Sequence, residues 1–240
     1  MSDSGIKADA RKLIYDDALK TLLISALFVF IFSALFEFLF LISGISDIYT
    51  GYMERVLSGD PHSSAMLLSF FSPVRILLAV FILLLIGLVR VLYMSYCLDS
   101  SRIYREDSKR SKISIPLLGK ILLIMIIKTA LTILWSMLFF FPGVTAHYRY
   151  RLAYYILLDD PEKSALQCIR ESKTLMRGNK LELFLVDLSF LGWYSLTAVL
   201  TLILLFLVPF PLPFTAVWLL PYAGLTRAAC YDHLLGNATA

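Results

Sequence analysis

Five long apolar runs constrain this chain more than any other feature: Thr21–Ser43, Val74–Leu98, Pro116–Phe141, Leu181–Val208 and Phe214–Tyr231. At about 1.5 Å of rise per helical residue, each approaches or exceeds the roughly 30 Å of a bilayer's hydrocarbon layer. A helix with a wet face must carry polar residues along it, so a soluble helical core rarely contains unbroken runs of this length. Composition agrees, with 59% apolar and 17% charged residues, against about a quarter charged in soluble domains. The expected fold class is all-α, a polytopic transmembrane helical bundle forming one integral membrane domain over residues 1–240. The first run is too long for a signal-peptide core and contains Glu37. It is therefore expected to be retained as an anchor.

Basic residues orient the runs. Lys7, Arg11, Lys12 and Lys20 precede the first, and Arg102, Arg105, Lys109, Arg110 and Lys112 follow the second, whereas the connection between the two holds only Arg55. Lysine and arginine concentrate on the cytoplasmic side of membrane proteins. This places a cytoplasmic tail at 1–20 and the 99–115 loop inside. The next basic group, Lys163, Arg170, Lys173, Arg177 and Lys180, falls on the same side only if residues 144–158 cross back, which brings the inside total to 14. The expected bundle then has six crossings, 21–43, 74–98, 116–141, 144–158, 181–208 and 214–231. Both termini are cytoplasmic and Phe141-Pro142-Gly143 forms an outer turn. The fourth crossing spans only about 22 Å. The alternative leaves 144–158 as a turn and loop and gives five crossings.

Between the fourth and fifth crossings, Pro161–Arg177 has the pattern of a short cytoplasmic amphipathic helix (161–178 with its stop). Asp160 suits the N-cap, Pro161 the first helical position, and Gly178-Asn179 the stop. Ala165, Cys168, Ile169, Ser172, Leu175 and Met176 form its apolar stripe.

Ionisable residues inside the runs each cost about 2.5–3.5 kcal/mol at bilayer centre. They form a candidate charge network of Glu37, Arg90, Lys128, His147, Arg149, Arg151 and Asp187. Depth pairs Glu37 with Lys128 or an arginine of the fourth crossing, and Arg90 with Asp187. On one continuous fourth helix, His147, Arg151 and Tyr154 or Tyr155 share a face, with Arg149 nearly opposite. Two roles are open to this network: fixing helix register, or lining a path for an anionic or polar substrate with Arg151, His147 and Lys128. Gly224 and Ala228, four apart, offer a close-approach strip for a membrane partner.

Motifs for catalysis are missing: the sequence has no His-Glu-x-x-His site, no Walker loop and no Gly-x-Ser-x-Gly elbow. His62, His147 and His233 are far apart, and Cys97, Cys168 and Cys230 lack metal-ligand spacing. The expectation is a protein that is not an enzyme, with no catalytic residue, no metal and no cofactor. Its partners are the lipid bilayer, with anionic lipid at the 99–115 loop, and a membrane protein or second copy. No nucleic acid is expected, because the basic loop lacks aromatic stacking residues.

A combination of motifs carries a family resemblance: Pro142-Gly143, Tyr148 and Tyr150, Asp160-Pro161, Ser172, Gly178-Asn179, the stretch Asp187 to Tyr194 with Gly192-Trp193-Tyr194, and Pro221-Tyr222. In this order they resemble the bacterial integral membrane family catalogued as domain of unknown function 975, over most of residues 140–235. Tyr154 stands where that family usually has a proline, which is expected to stiffen the fourth helix. The resemblance implies a multi-pass protein of the bacterial cytoplasmic membrane and brings no established activity. A non-enzymatic membrane module with an accessory or assembly role is the expected function. The alternative is a transporter or exporter of a small polar, anionic or lipid-like substrate.

Overall fold

The computed structural model describes residues 3–43, 51, 54, 57–58, 73–104, 115–205 and 214–239. The longer elements among them are nine helices: α1 (Asp3–Asp16), α2 (Ala18–Ser43), α3 (Pro73–Tyr104), α4 (Ile115–Leu138), α5 (Phe140–Arg149), α6 (Ala153–Asp159), α7 (Ala165–Leu175), α8 (Lys180–Leu205) and α9 (Phe214–Thr239). Four contain windows long and apolar enough to cross a membrane: Ala18–Ile42, Pro73–Ile103, Pro116–Leu138 and Lys180–Leu204. Only 11–17% of the residues in those windows are buried. On α8, for example, Leu183, Val186 and Phe190 form one buried stripe, while Leu185, Leu188, Leu191 and Leu196 are exposed. Apolar side chains facing outwards on this scale are stable against lipid rather than water.

The chain divides into two compact units, one of Met1–Val29 with Arg90–Ala240 and one of Phe30–Val89. In the second, Phe36, Phe38, Phe40, Leu77, Val80 and Phe81 are exposed and Ile82 is buried. Glu37 is exposed there too. The first unit holds the charged groups described below.

Several expected boundaries move. The N-terminal tail is the helix α1, and it packs along α9, where the Arg11 guanidinium lies 6.0 Å from the Tyr222 ring centroid. α3 runs to Tyr104, so Arg102 is on a helix and not in a loop, and α9 continues past residue 231 to Thr239. The rest of the expected 99–115 loop, at 105–114, and the proline-rich connection at 206–213 lie outside the described residues.

The largest correction concerns 144–158. One return helix was expected, and two short ones are found, about 15 Å and 10 Å long on the helical rise. They are separated by a turn at Tyr150, Arg151 and Leu152. Tyr154 therefore does not stiffen this segment into one helix. The preceding turn is also displaced, because α4 ends at Leu138 and α5 starts at Phe140, leaving the extended Phe139 as the corner. Pro142 sits in the first turn of α5, where its missing N–H has no helical partner to lose. Gly143 lets α5 fold straight back, since a Cβ there would come 2.9 Å from Ser136 Cα.

From that corner the partners march backwards along α4. Arg149 lies against Trp135 (5.9 Å), Tyr154 under the Lys128 ammonium (5.1 Å), and the Pro161 carbonyl accepts from Lys120 Nζ at 2.5 Å. The α5–α6 pair thus retraces α4 from its Leu138 end to its Lys120 end.

α7 begins later than expected. Ser164, not Asp160, is the N-cap: its Oγ accepts from Gln167 N at 3.4 Å, and Gln167 Oε1 accepts from Ser164 N at 2.8 Å. This reciprocal capping box satisfies two orphan amides at once, which a lone Asp160 cap does not. Asp160 instead accepts from Glu162 N at 3.2 Å in the turn before it. The stripe is otherwise as expected, with Ala165, Cys168, Ile169, Ser172 and Met176 buried and Leu175 partly so. Burial pushes the Cys168 thiol up to about 11. A hydrogen bond to Glu171 holds the Lys163 ammonium above its ordinary value on the open face. Gly178, at φ 91°, ends the segment in a conformation that favours glycine.

Gly224 turns out to face inwards rather than towards a partner. A Cβ there would meet Cys97 Sγ at 2.6 Å and the Tyr93 ring at 3.1 Å, and Ala228 is fully buried. The small residues let α9 approach α3 within the chain. Gly224→Leu is expected to destabilise by the upper part of the about 1–3 kcal/mol typical of overpacking. Gly192→Leu, at an exposed glycine with nothing within 4 Å, is expected to leave stability near wild type. Thermal unfolding in detergent checks both, and equal midpoints would mean that α3 and α9 can move apart.

Candidate functional site

Two ion clusters join the helices of the first unit. In one, Arg102 near the end of α3 is buried at 5% exposure and serves two carboxylates. Its two terminal nitrogens grip Asp159 at the end of α6, one of them at 3.1 Å, while Nε and Nη2 donate to Asp232 Oδ1 on α9 at 3.3 and 2.8 Å. The Tyr231 hydroxyl donates to Asp159 Oδ2 at 2.6 Å, and its ring stacks on Tyr155 with centroids 5.1 Å apart. A forked guanidinium suits this task because it presents donors in several directions at once.

The second cluster centres on Asp187 in α8. Arg151, from the turn between α5 and α6, donates through both terminal nitrogens, one at 3.1 Å. Tyr148 adds its hydroxyl at 2.9 Å, and Arg227 on α9 donates through Nε at 3.2 Å. Arg227 reaches on to the Tyr194 hydroxyl at 3.3 Å. A carboxylate offers about four lone-pair sites, so this one is fully engaged.

The break between α5 and α6 aims Arg151. Its backbone N–H donates to Tyr148 O at 3.3 Å, and Tyr150 N–H to Ala146 O at 3.2 Å. Ser172 on α7, itself fully buried, donates to Arg149 O at 2.9 Å. The carbonyl freed at the end of α5 is therefore satisfied from another helix.

The expected network is only partly assembled this way. Asp187 takes Arg151 and Arg227 and not the anticipated Arg90, which is exposed on α3. Lys128 lies over the Tyr154 ring, and Glu37 belongs to the other unit. His147 is half-buried, edge-on to Tyr148 at 5.7 Å. His147 lies on α5 and Arg151 in the turn at 150–152, so the two are not on one continuous helix. Arg149 lines an open cleft of about 310 Å³ with Trp135, Phe141, Pro142, Thr145 and Ala146. Among the described residues, no group of three or more His, Cys, Asp or Glu side chains converges as a metal site would require.

Sequence reasoning missed Arg102, Asp159, Arg227 and Asp232. Arg227 was the most legible of them, an arginine inside the apolar text Gly224-Leu225-Thr226-Arg227-Ala228-Ala229. The other three sit at run ends, where a charge normally needs no explanation.

The motif residues gather around these clusters. Pro142 and Gly143 make the corner, Pro161 receives Lys120, and Ser172 supports the break. Asn179 Nδ2 donates to Leu175 O at 3.1 Å, closing α7. Tyr222 packs edge-on to Phe190 at 5.1 Å beside the buried Pro221. Gly192 and Trp193 are exposed on α8.

Within the described residues this is an all-helical protein with four helices long and apolar enough to cross a membrane, tied internally by buried ion pairs. The chain belongs to the DUF975 family, described as a protein of unknown function, whose sequence model matches residues 66–238. No curated protein and no solved structure matches it.

Breaking a buried ion pair from one side costs about 3–5 kcal/mol. The Asp187 side chain is 19% exposed, so Asp187→Asn is expected at the lower end, near about 3 kcal/mol, with Arg151 and Arg227 left uncompensated. Denaturant unfolding in detergent checks this. A loss below about 1 kcal/mol, the size of a surface pair, would mean that the cluster is not desolvated.

Proposed function

We propose that the chain is a non-catalytic integral membrane module of the bacterial cytoplasmic membrane, with an accessory or assembly role, crossing the bilayer six times with both termini cytoplasmic. The closure of the two ion clusters on themselves carries this reading. Arg102, Arg151 and Arg227 are matched by Asp159, Asp187 and Asp232, so the clusters hold helices at fixed depth and present no free acid or base. Charges committed in this way suit a structural part better than a reaction centre.

The retracing of α4 by α5 and α6 supports the fourth crossing, as a broken helix sheltered by its neighbours. It brings Lys163, Arg170, Lys173, Arg177 and Lys180 towards the end that carries Lys120, in keeping with the positive-inside rule. α7 then lies at the cytoplasmic surface, and α9 supplies the sixth crossing with its buried Pro221 and Arg227 facing the protein interior. Reporter fusions test this arrangement. A fluorescent protein joined after Arg170 or at the C-terminus is expected to glow, and alkaline phosphatase at the same points to stay inactive. Phosphatase activity at Arg170 would overturn the six-crossing arrangement.

A second reading, passage of a small polar, anionic or lipid-like substrate, draws on Lys128 and Arg90, which have no carboxylate partner among the described residues. Proteoliposomes containing the chain distinguish the two. Under the module reading, labelled phosphate and short-chain phosphatidylglycerol are expected to cross no faster than in empty liposomes, and faster flux would favour the second.

A further inference from the structure

The cleft beside Arg149 belongs to neither ion cluster. Pro142, Thr145, Ala146 and Arg149 line it from one face of α5, three and four residues apart, while Trp135 borders it from α4 and Phe141 from the first turn of α5. Its volume of about 310 Å³ falls at the lower end of the roughly 300–1,000 Å³ of small-molecule sites. Packing sets its walls. Gly143 brings α5 against α4 at Ser136, and Ser172 on α7 donates to the Arg149 carbonyl at 2.9 Å, so the backbone carrying the arginine is tied to another helix. From there the side chain lies over Trp135, its guanidinium 5.9 Å from the ring centroid. A helical side chain leans towards the N-terminus of its helix, which for α5 is the corner at Phe139, four residues beyond Trp135.

No carboxylate among the described residues pairs with Arg149, in contrast to Arg102, Arg151 and Arg227. A ring face attracts a cation but carries no charge to neutralise it. The other polar groups of the cleft add little: the Thr145 hydroxyl donates to Pro142 O at 2.9 Å, and Trp135 supplies one indole N–H. The lining is therefore a single guanidinium, able to donate two parallel bonds, set among apolar and aromatic surface. A free phosphate ion would leave most of its oxygens unmatched there. A phosphate diester suits the cleft better, with one charge, two free oxygens and an apolar body. A zwitterionic headgroup would bring a second cation towards the guanidinium. Trp135, Met137, Leu138, Phe139 and Phe141 are all exposed at this end of α4 and α5, and tryptophan favours the headgroup level of a bilayer. The cleft is too small for a whole phospholipid, whose chains would lie outside it along exposed Ile133 and Leu134.

We propose that this cleft binds the headgroup of an anionic phospholipid, with the Arg149 guanidinium on its phosphate and the Trp135 ring against its glycerol carbons. The site rests on the membrane placement proposed above only for the leaflet: with the corner outside, the lipid comes from the outer leaflet. The reporter fusions test that side separately, so binding and topology can fail independently.

The test uses the full chain, purified and stripped of lipid in a neutral detergent. Its thermal midpoint is followed as short-chain phosphatidylglycerol, phosphatidylcholine or diacylglycerol, or inorganic phosphate, is added, since a ligand that binds the folded state raises the midpoint. A saturable rise is expected with phosphatidylglycerol, a weaker half-saturation with phosphatidylcholine, and no rise with diacylglycerol or phosphate. Arg149→Gln is expected to weaken half-saturation by phosphatidylglycerol about tenfold, and Trp135→Leu about threefold. Arg170→Gln, at an exposed position on α7, is expected to leave it unchanged. No saturable rise with phosphatidylglycerol, an equal response to any of the other three compounds, wild-type half-saturation in either cleft variant, or a matching loss in Arg170→Gln would overturn the proposal. If Arg149→Gln fails to fold, Trp135→Leu decides, since an exposed side chain is replaced there.

Discussion

An ionised carboxylate among apolar side chains is tolerable only when donors surround it, and Asp187 is surrounded by three side chains from three parts of the chain. Arg151 comes from the turn between α5 and α6, Tyr148 from α5, and Arg227 from α9. Each contact fixes a depth: α8 cannot slide past the turn, nor α9 past α8, without exposing a bare charge to hydrocarbon. Arg102 does the same one layer away for α3, α6 and α9. Apolar packing alone would not specify these depths, because one leucine surface fits another at many registers. Lipid also removes much of the drive for helices to associate, so polar contacts carry more of the specificity.

The same clusters explain why a broken helix is stable here. Interrupting α5 and α6 releases backbone groups that cannot be left dry, and irregular backbone survives at such positions only when buried in protein. Tyr150, Arg151 and Leu152 are 6%, 8% and 1% exposed. Ser172 takes up the Arg149 carbonyl, and the turn directs the Arg151 side chain at Asp187. The break and the ion cluster thus meet at one residue, Arg151.

How much of this the sequence disclosed depends on the kind of signal. The five apolar runs correspond to five long helices, four of them by hydropathy alone, because length and composition are summed over many residues. The stripe of α7 was equally legible, since periodicity places Ala165, Cys168, Ile169 and Ser172 on one face wherever the helix starts. Its start was not legible, because Asp160 and Ser164 are both competent caps, and a side chain three residues ahead of each decides between them. Lys163 cannot return the bond that Gln167 does. Among the ions, Arg151 and Asp187 were both singled out, but the pairing went to Arg90 because depth was counted along straight helices. The break beside Arg151 was not legible either, because no local propensity announces it: Tyr150-Arg151-Leu152 contains neither glycine nor proline. Arg102, Asp159 and Asp232 resemble ordinary charges at helix ends until a fold brings them together.

The long sequence separations within the clusters have a consequence for how the protein is made. Arg102 is synthesised 57 residues before Asp159 and 130 before Asp232, and Arg151 36 residues before Asp187. During synthesis, therefore, Arg102 and Arg151 each emerge ahead of their counter-charges, whereas Arg227 follows Asp187 by 40 residues. Arg151, in the turn between α5 and α6, meets its carboxylate only when α8 is made. Arg227, in α9, is the last member of the second cluster to be made. By the time α8 is made, Arg102 and Arg151 each have an aspartate, and α9 then brings Asp232 to the first cluster and Arg227 to the second. Each cluster gains its third charge from the same helix, so α9 locks both at once without changing their combined charge.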